Sequence, residues 1–133
     1  MTFVPDGVGT RLPRIDLDDS EVDLDYAQRL LYRGELFTGE VEEYLAGHRV
    51  SSVTYKDGYR HGPFREWFTS GVLRAEGTMR MGSLSGEYKS WHENGVLATK
   101  KLHSADGGTP LSHYEWDEEG NPTRAWEKMN PQG

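Results

Sequence analysis

Glycine returns along this chain at a fixed interval. Gly34, Gly58, Gly82 and Gly107 are 24, 24 and 25 residues apart, and Gly47, Gly71, Gly95 and Gly120 repeat the same intervals. Gly39, Gly62 and Gly86 make a third register, which Leu111 breaks in the fourth unit. Tyr44, Trp67, Trp91 and Trp116 follow at intervals of 23, 24 and 25. A period of this size means stacked supersecondary units, each too small to bury its apolar side alone.

Each central unit carries two turn signals. Asp57-Gly58 and Met81-Gly82 mark one, and Ser70-Gly71 and Asn94-Gly95 mark the other. Gly in these pairs supplies the positive φ of tight hairpin turns. The runs between turns, Pro63–Phe68, Val72–Met79, Glu87–His92 and Val96–His103, have strand length and are too short for ordinary helices. The expected fold is all-β: an elongated single-layer antiparallel meander of about four 24-residue hairpin repeats with an extended N-terminal arm. The units fall near 32–54, 55–78, 79–102 and 103–127. They sit in a repeat domain over 26–127, between an acidic arm over 1–25 and a frayed tail over 128–133. The last unit adds Pro110 and Pro122, as a terminal unit capping an open edge often does.

Val41, Phe64, Tyr88 and His113 lie two residues after the third register, and Tyr44, Trp67, Trp91 and Trp116 lie five after it. Strict alternation puts the two sets on opposite faces, whereas a bulge brings them to one. Both arrangements are open on sequence alone. The arm is equally open. RIDLDDSEVDLDY fits extended structure along the sheet edge, and Glu21–Leu31 behind Ser20 fits a short helix.

Charge narrows the partners. Residues 1 to 25 hold seven acids and two bases, and the other 108 residues hold 15 acids and 13 bases, giving the net charge of −7. Such a chain is a poor ligand for nucleic acid or anionic lipid, and a basic protein is its natural complement. Zero cysteines exclude disulfides, thiolate metal sites and cysteine nucleophiles, and suit a reducing cytoplasm. No apolar stretch is long enough to span a membrane, and the first residues lack the pattern of a secretory signal.

The residues offer little for catalysis. His48, His61, His92, His103 and His113 show no metal-ligand spacing. Gly82-Ser-Leu-Ser-Gly86 has its serines misplaced for a nucleophile elbow, and Gly58-Tyr-Arg-His-Gly62 lacks the Lys and helix of a phosphate loop. The reading is a binding protein, not an enzyme, with no cofactor and no metal. Candidate contacts are the acids Asp16, Asp18, Asp19, Glu21, Asp23, Asp25, Glu40, Glu42 and Glu43 for steering. Arg65, Trp67, Tyr88 and Trp91 are candidate anchors on an open sheet face.

The central units, D57-G58-x3-G62-x4-W67-x3-G71-x-L73 and G82-x3-G86-x4-W91-x3-G95-x-L97, resemble variant MORN repeats. The segment LLYRGELFTGEVEEY behind its acidic leader, and the closing YEWDEEGNPT, are similar to the bacterial YwqK-type antitoxin family over about residues 14 to 124. The resemblance implies an immunity protein that binds and blocks a cognate toxin. The alternative is a MORN-type scaffold or membrane-peripheral module.

Overall fold

The computed structural model describes residues 12–129. The described residues form twelve strands and no helix. The strands are β1 (Arg14–Asp16), β2 (Val22–Leu24), β3 (Leu30–Tyr32), β4 (Glu35–Leu36), β5 (Gly39–Leu45), β6 (His48–Lys56), β7 (Tyr59–Trp67), β8 (Leu73–Arg80), β9 (Ser83–Trp91), β10 (Leu97–His103), β11 (Pro110–Trp116) and β12 (Pro122–Glu127). Nine of them make one sheet in the order β1-β5-β6-β7-β8-β9-β10-β11-β12, and β2-β3-β4 make a second, small sheet. From β5 onward every neighbour in the large sheet is also the next strand in sequence, paired antiparallel, so the chain is the expected meander of repeated hairpins.

Turn chemistry sets this path. At one end of the sheet Asp57-Gly58 and Met81-Gly82 close two-residue hairpins with φ of 50 and 84, and 47 and 90. Positive φ at both residues is the type I′ geometry, whose twist matches that of the strands. Gly58 N–H also donates to Phe37 O (2.9 Å), and Gly82 N–H to Arg60 O (2.8 Å). Each of these turns is thereby hooked to the unit before it. At the other end the Ser70-Gly71 and Asn94-Gly95 signals close three-residue loops, seen in Phe68 N–H donating to Val72 O and His92 N–H to Val96 O. The first unit uses Ala46-Gly47, one residue shorter, which accounts for the Tyr44-to-Trp67 interval of 23.

The third glycine register marks irregular pairing. Between the pairs Val53–Phe64 and Tyr55–Arg60, β7 carries two residues more than β6, and Gly62 sits there at φ 116. Gly86 occupies the same place in β9, between Lys89–Glu76 and Ser85–Thr78. The strands run past the turn-free segments seen in sequence because these bulges keep the chain paired through positions that read as turns.

The N-terminal segment takes extended structure. β1 pairs parallel with β5, placing Arg14, Ile15 and Asp16 beside Glu40, Val41 and Glu42. No helix forms over Glu21–Leu31. Asp25 Oδ1 accepts the N–H groups of Ala27 (2.9 Å) and Arg29 (2.8 Å), a local turn that competes with helix. The small sheet folds over the first strands and buries Leu30, Phe37 and Val41, with Ile15, Val22, Tyr32 and Tyr55 packed around them. Ala75 is the one further buried hydrophobic among the described residues. The core therefore lies at the N-terminal end, and β12 is exposed along its whole length. Pairing continues past β12, where Lys128 N–H donates to Leu111 O (2.8 Å). Residues 130–133 of the tail and residues 1–11 of the arm lie outside the described residues.

Candidate protein-binding surface

Alternation along the strands gives the large sheet two different faces. On one face a single row runs across the strands. Ile15, Val41, Val53, Phe64 and Gly77 are successive cross-strand partners, and so are Tyr88, Lys101, His113 and Trp126. The two halves meet where Phe64 and Tyr88 stack, with ring centroids 6.2 Å apart and planes at 28°. Gly77 lies under this stack. A Cβ there would stand 3.0 Å from Phe64 Cε1 and 3.3 Å from Tyr88 Cδ1. The Lys101 ammonium caps the far side of the Tyr88 ring at 5.4 Å.

The opposite face is charged and neutralises itself. Arg14 pairs with Glu40 (2.9 Å) and Glu42 (3.5 Å), and Arg49 with Glu42 (2.9 Å). Glu42, only 4% exposed, also accepts Tyr44 OH. Arg65 meets Glu76 at 3.2 Å, and Glu87 holds Lys89 and Lys100. The Arg49 guanidinium covers the Trp67 ring at 4.4 Å.

The proposed anchors are therefore split. Arg65 and Trp67 belong to the charged face, each engaged within the chain, and Trp91 falls there by alternation. Tyr88 belongs to the apolar face. Both faces carry aromatics, Phe64 and Tyr88 within the strands on one face and Trp67 and Trp91 at the strand ends on the other. The sequence arrangement with all four on one open face does not form, because Phe64-to-Trp67 and Tyr88-to-Trp91 are odd steps in regular strand.

The acids are divided too. Asp19 accepts Glu21 N–H (2.9 Å) and Tyr32 OH (3.0 Å). Asp25 holds the backbone and the guanidinium of Arg29 (2.8 Å). These bonds favour the ionised form, so both carboxyls are held below their ordinary value, Asp19 chiefly by the Glu21 N–H and Asp25 chiefly by that of Arg29. Asp16 and Asp23 accept the N–H groups of Asp18 and Leu24. Asp18 and Glu21 are exposed, with side chains that bond nothing among the described residues. The side chains of Glu43, and of Glu66, which the sequence reading did not single out, make no ion pair or hydrogen bond among the described residues. They flank Ser51 as cross-strand neighbours on the apolar face.

The cap sheet lies over β5 and β6, and its Leu24 and Leu30 reach the Tyr59–Arg60 end of β7. Beside it lies a groove of about 150 Å³, lined by Leu17, Val41, Val53, Tyr55, Phe64 and Met79, with Glu43 and Glu66 toward one end and Arg60 toward the other. Other motifs have structural roles. Ser85, in Gly82–Gly86, donates to Ala105 O (2.7 Å), and His61 Nδ1 accepts Met81 N–H (3.1 Å). His92 Nε2 bonds Trp116 O (2.8 Å), stitching one loop to the next. Among the described residues no three His, Asp or Glu side chains are placed to hold a metal, and no helix is long and apolar enough to cross a membrane.

The geometry defines a repeat of β-hairpins with an uncovered apolar row. Residues 60–80 and 84–103 match the family model of the MORN repeat variant. The first stretch is the β7–β8 hairpin and the second is β9–β10. No curated protein and no solved structure matches the chain. Two hairpins thus match the MORN repeat variant, and the array they stand in is a repeat-containing interaction scaffold.

Proposed function

We propose that this scaffold is a non-enzymatic binding protein that neutralises a basic protein toxin by direct contact. The observation that carries the reading is the placement of charge beside apolar surface. Residues 12–57 hold eleven acids and five bases, a net of −6, and they border the uncovered row. Residues 59–103 hold four acids and seven bases, a net of +3. A field this uneven steers a basic partner to the N-terminal end, where the groove opens. The similarity of LLYRGELFTGEVEEY and its acidic leader to YwqK-type antitoxins supports a toxin as that partner.

The test is co-purification with the tagged full chain as bait, followed by co-expression. One stoichiometric basic protein, toxic alone and harmless beside this chain, is the expected result. Retention of lipid only, or of a partner without toxicity, would overturn the toxin reading.

A further inference from the structure

We infer that the uncovered part of the apolar face, between the cap sheet and the Phe64–Tyr88 stack, receives an apolar segment of a partner protein carrying two basic side chains, which Glu43 and Glu66 bind. This rests on the chain being a protein-binding module and goes further in assigning the face and the chemistry of the bound segment.

Three observations converge. First, over β5 to β9 the carboxylates of the two faces are treated differently; only farther along the row face, at β11, does Glu115 hold partners of this chain, His113 (2.8 Å) and Arg124 (4.0 Å). Glu40, Glu42, Glu76 and Glu87 on the charged face all have a cation from this chain within 4.0 Å. Glu43 and Glu66 have none among the described residues, and Arg74, which shares their part of the face, lies over the Phe68 ring instead. Second, Glu66 is half-buried beside apolar side chains. Covering it without a cation leaves an unpaired charge away from water, so a segment lacking Lys or Arg there is rejected. Third, Phe64, Met79 and Tyr88 are half-buried, with nothing of the cap sheet over them.

The register sets the shape of the segment. Glu43 and Glu66 are two strands apart, so the basic groups sit about 10 Å apart. The apolar contacts, Val53 and Phe64, lie about 7 Å along the strands from that acidic row, and Arg60 lies about 7 Å beyond them. The same carboxylates repel anionic lipid headgroups and phosphates. A second copy of a chain with net charge −7 is likewise disfavoured.

The test pans a phage-displayed random dodecapeptide library on the full chain, and measures the winning synthetic peptides by calorimetry. The expected peptides combine aromatic or aliphatic residues with two Lys or Arg. They should lose about tenfold in affinity on Glu43→Gln/Glu66→Gln, and a similar factor when their own Lys become Gln. Glu76→Gln/Glu87→Gln on the other face should change them less than twofold. Acidic or uncharged winners, or equal loss on both double variants, overturn the assignment. Binding that emerges only after residues 2–11 are removed gives the groove to the chain's own N-terminus and also overturns it. If peptides fail while co-purification still returns a protein partner, the binding-module reading stands and this assignment falls.

Discussion

Gly77 shows how one missing side chain shapes a surface. Its equivalents one period before and after are Val53 and Lys101. With no Cβ there, the Phe64 and Tyr88 rings close over β8. Val has a far better strand propensity than Gly, so propensity alone says that Gly77→Val stabilises. The packing says the reverse. Gly77→Val should cost about 1–3 kcal/mol by chemical denaturation, because the added atoms force the two rings apart. The acids make a second prediction at this scale. Asp19 and Asp25 have folded pKa values below the ordinary 3.8. Their contribution is therefore full above 3.8 and is lost as pH falls through the lowered values. Asp19→Asn and Asp25→Asn should lower Tm at pH 7 and leave it nearly unchanged near pH 2, as scanning calorimetry would record. Steering is better tested elsewhere, with Asp18→Lys/Glu21→Lys, since those side chains hold nothing together. Association with a basic partner should slow by about three- to tenfold at low salt, as stopped-flow mixing would show. The acidic run was plain in the sequence. Its division into turn-forming and solvent-facing carboxylates was not, because side-chain-to-backbone bonds depend on turns that the composition does not specify.

At the scale of elements, glycine spacing made the hairpins legible, since only a positive φ closes a two-residue turn at this pitch. Met81 is where the rule is strained. It has φ 47 and is 54% exposed. Asn tolerates that conformation better, so Met81→Asn should add about 0.5–1 kcal/mol while keeping the backbone bond to His61. The small cap sheet was not legible. Its strands are three, three and two residues long, below the length at which alternation speaks. Tertiary contact creates them, through Phe37 and Leu30 packing on Val41. Phe37→Ala should accordingly cost about 3–5 kcal/mol, whereas Trp126→Ala on the exposed edge strand should cost about 1 kcal/mol or less. Urea titration of the two variants separates them.

The whole molecule is a one-dimensional array with its core at one end. Strands of the large sheet touch their neighbours in order, and the buried cluster of Leu30, Phe37 and Val41 lies under the cap. Stability in such arrays is local. Hydrogen exchange should therefore be slowest in β5 to β8 and fastest in β12, not uniform. Uniform protection would mean one cooperative unit. The division of side chains between the two faces was the least legible feature, because one bulge between Phe64 and Trp67, or between Tyr88 and Trp91, would have put both aromatics on one face, and β7 and β9 are regular there. The most direct measurement is carboxyl footprinting by mass spectrometry, on the free chain and on its complex with the co-purified partner. Protection of Glu43 and Glu66, with Glu76 and Glu87 labelled as in the free chain, is the expected result. Protection of Glu76 and Glu87 with Glu43 and Glu66 still reactive would contradict it and move the binding surface to the charged face.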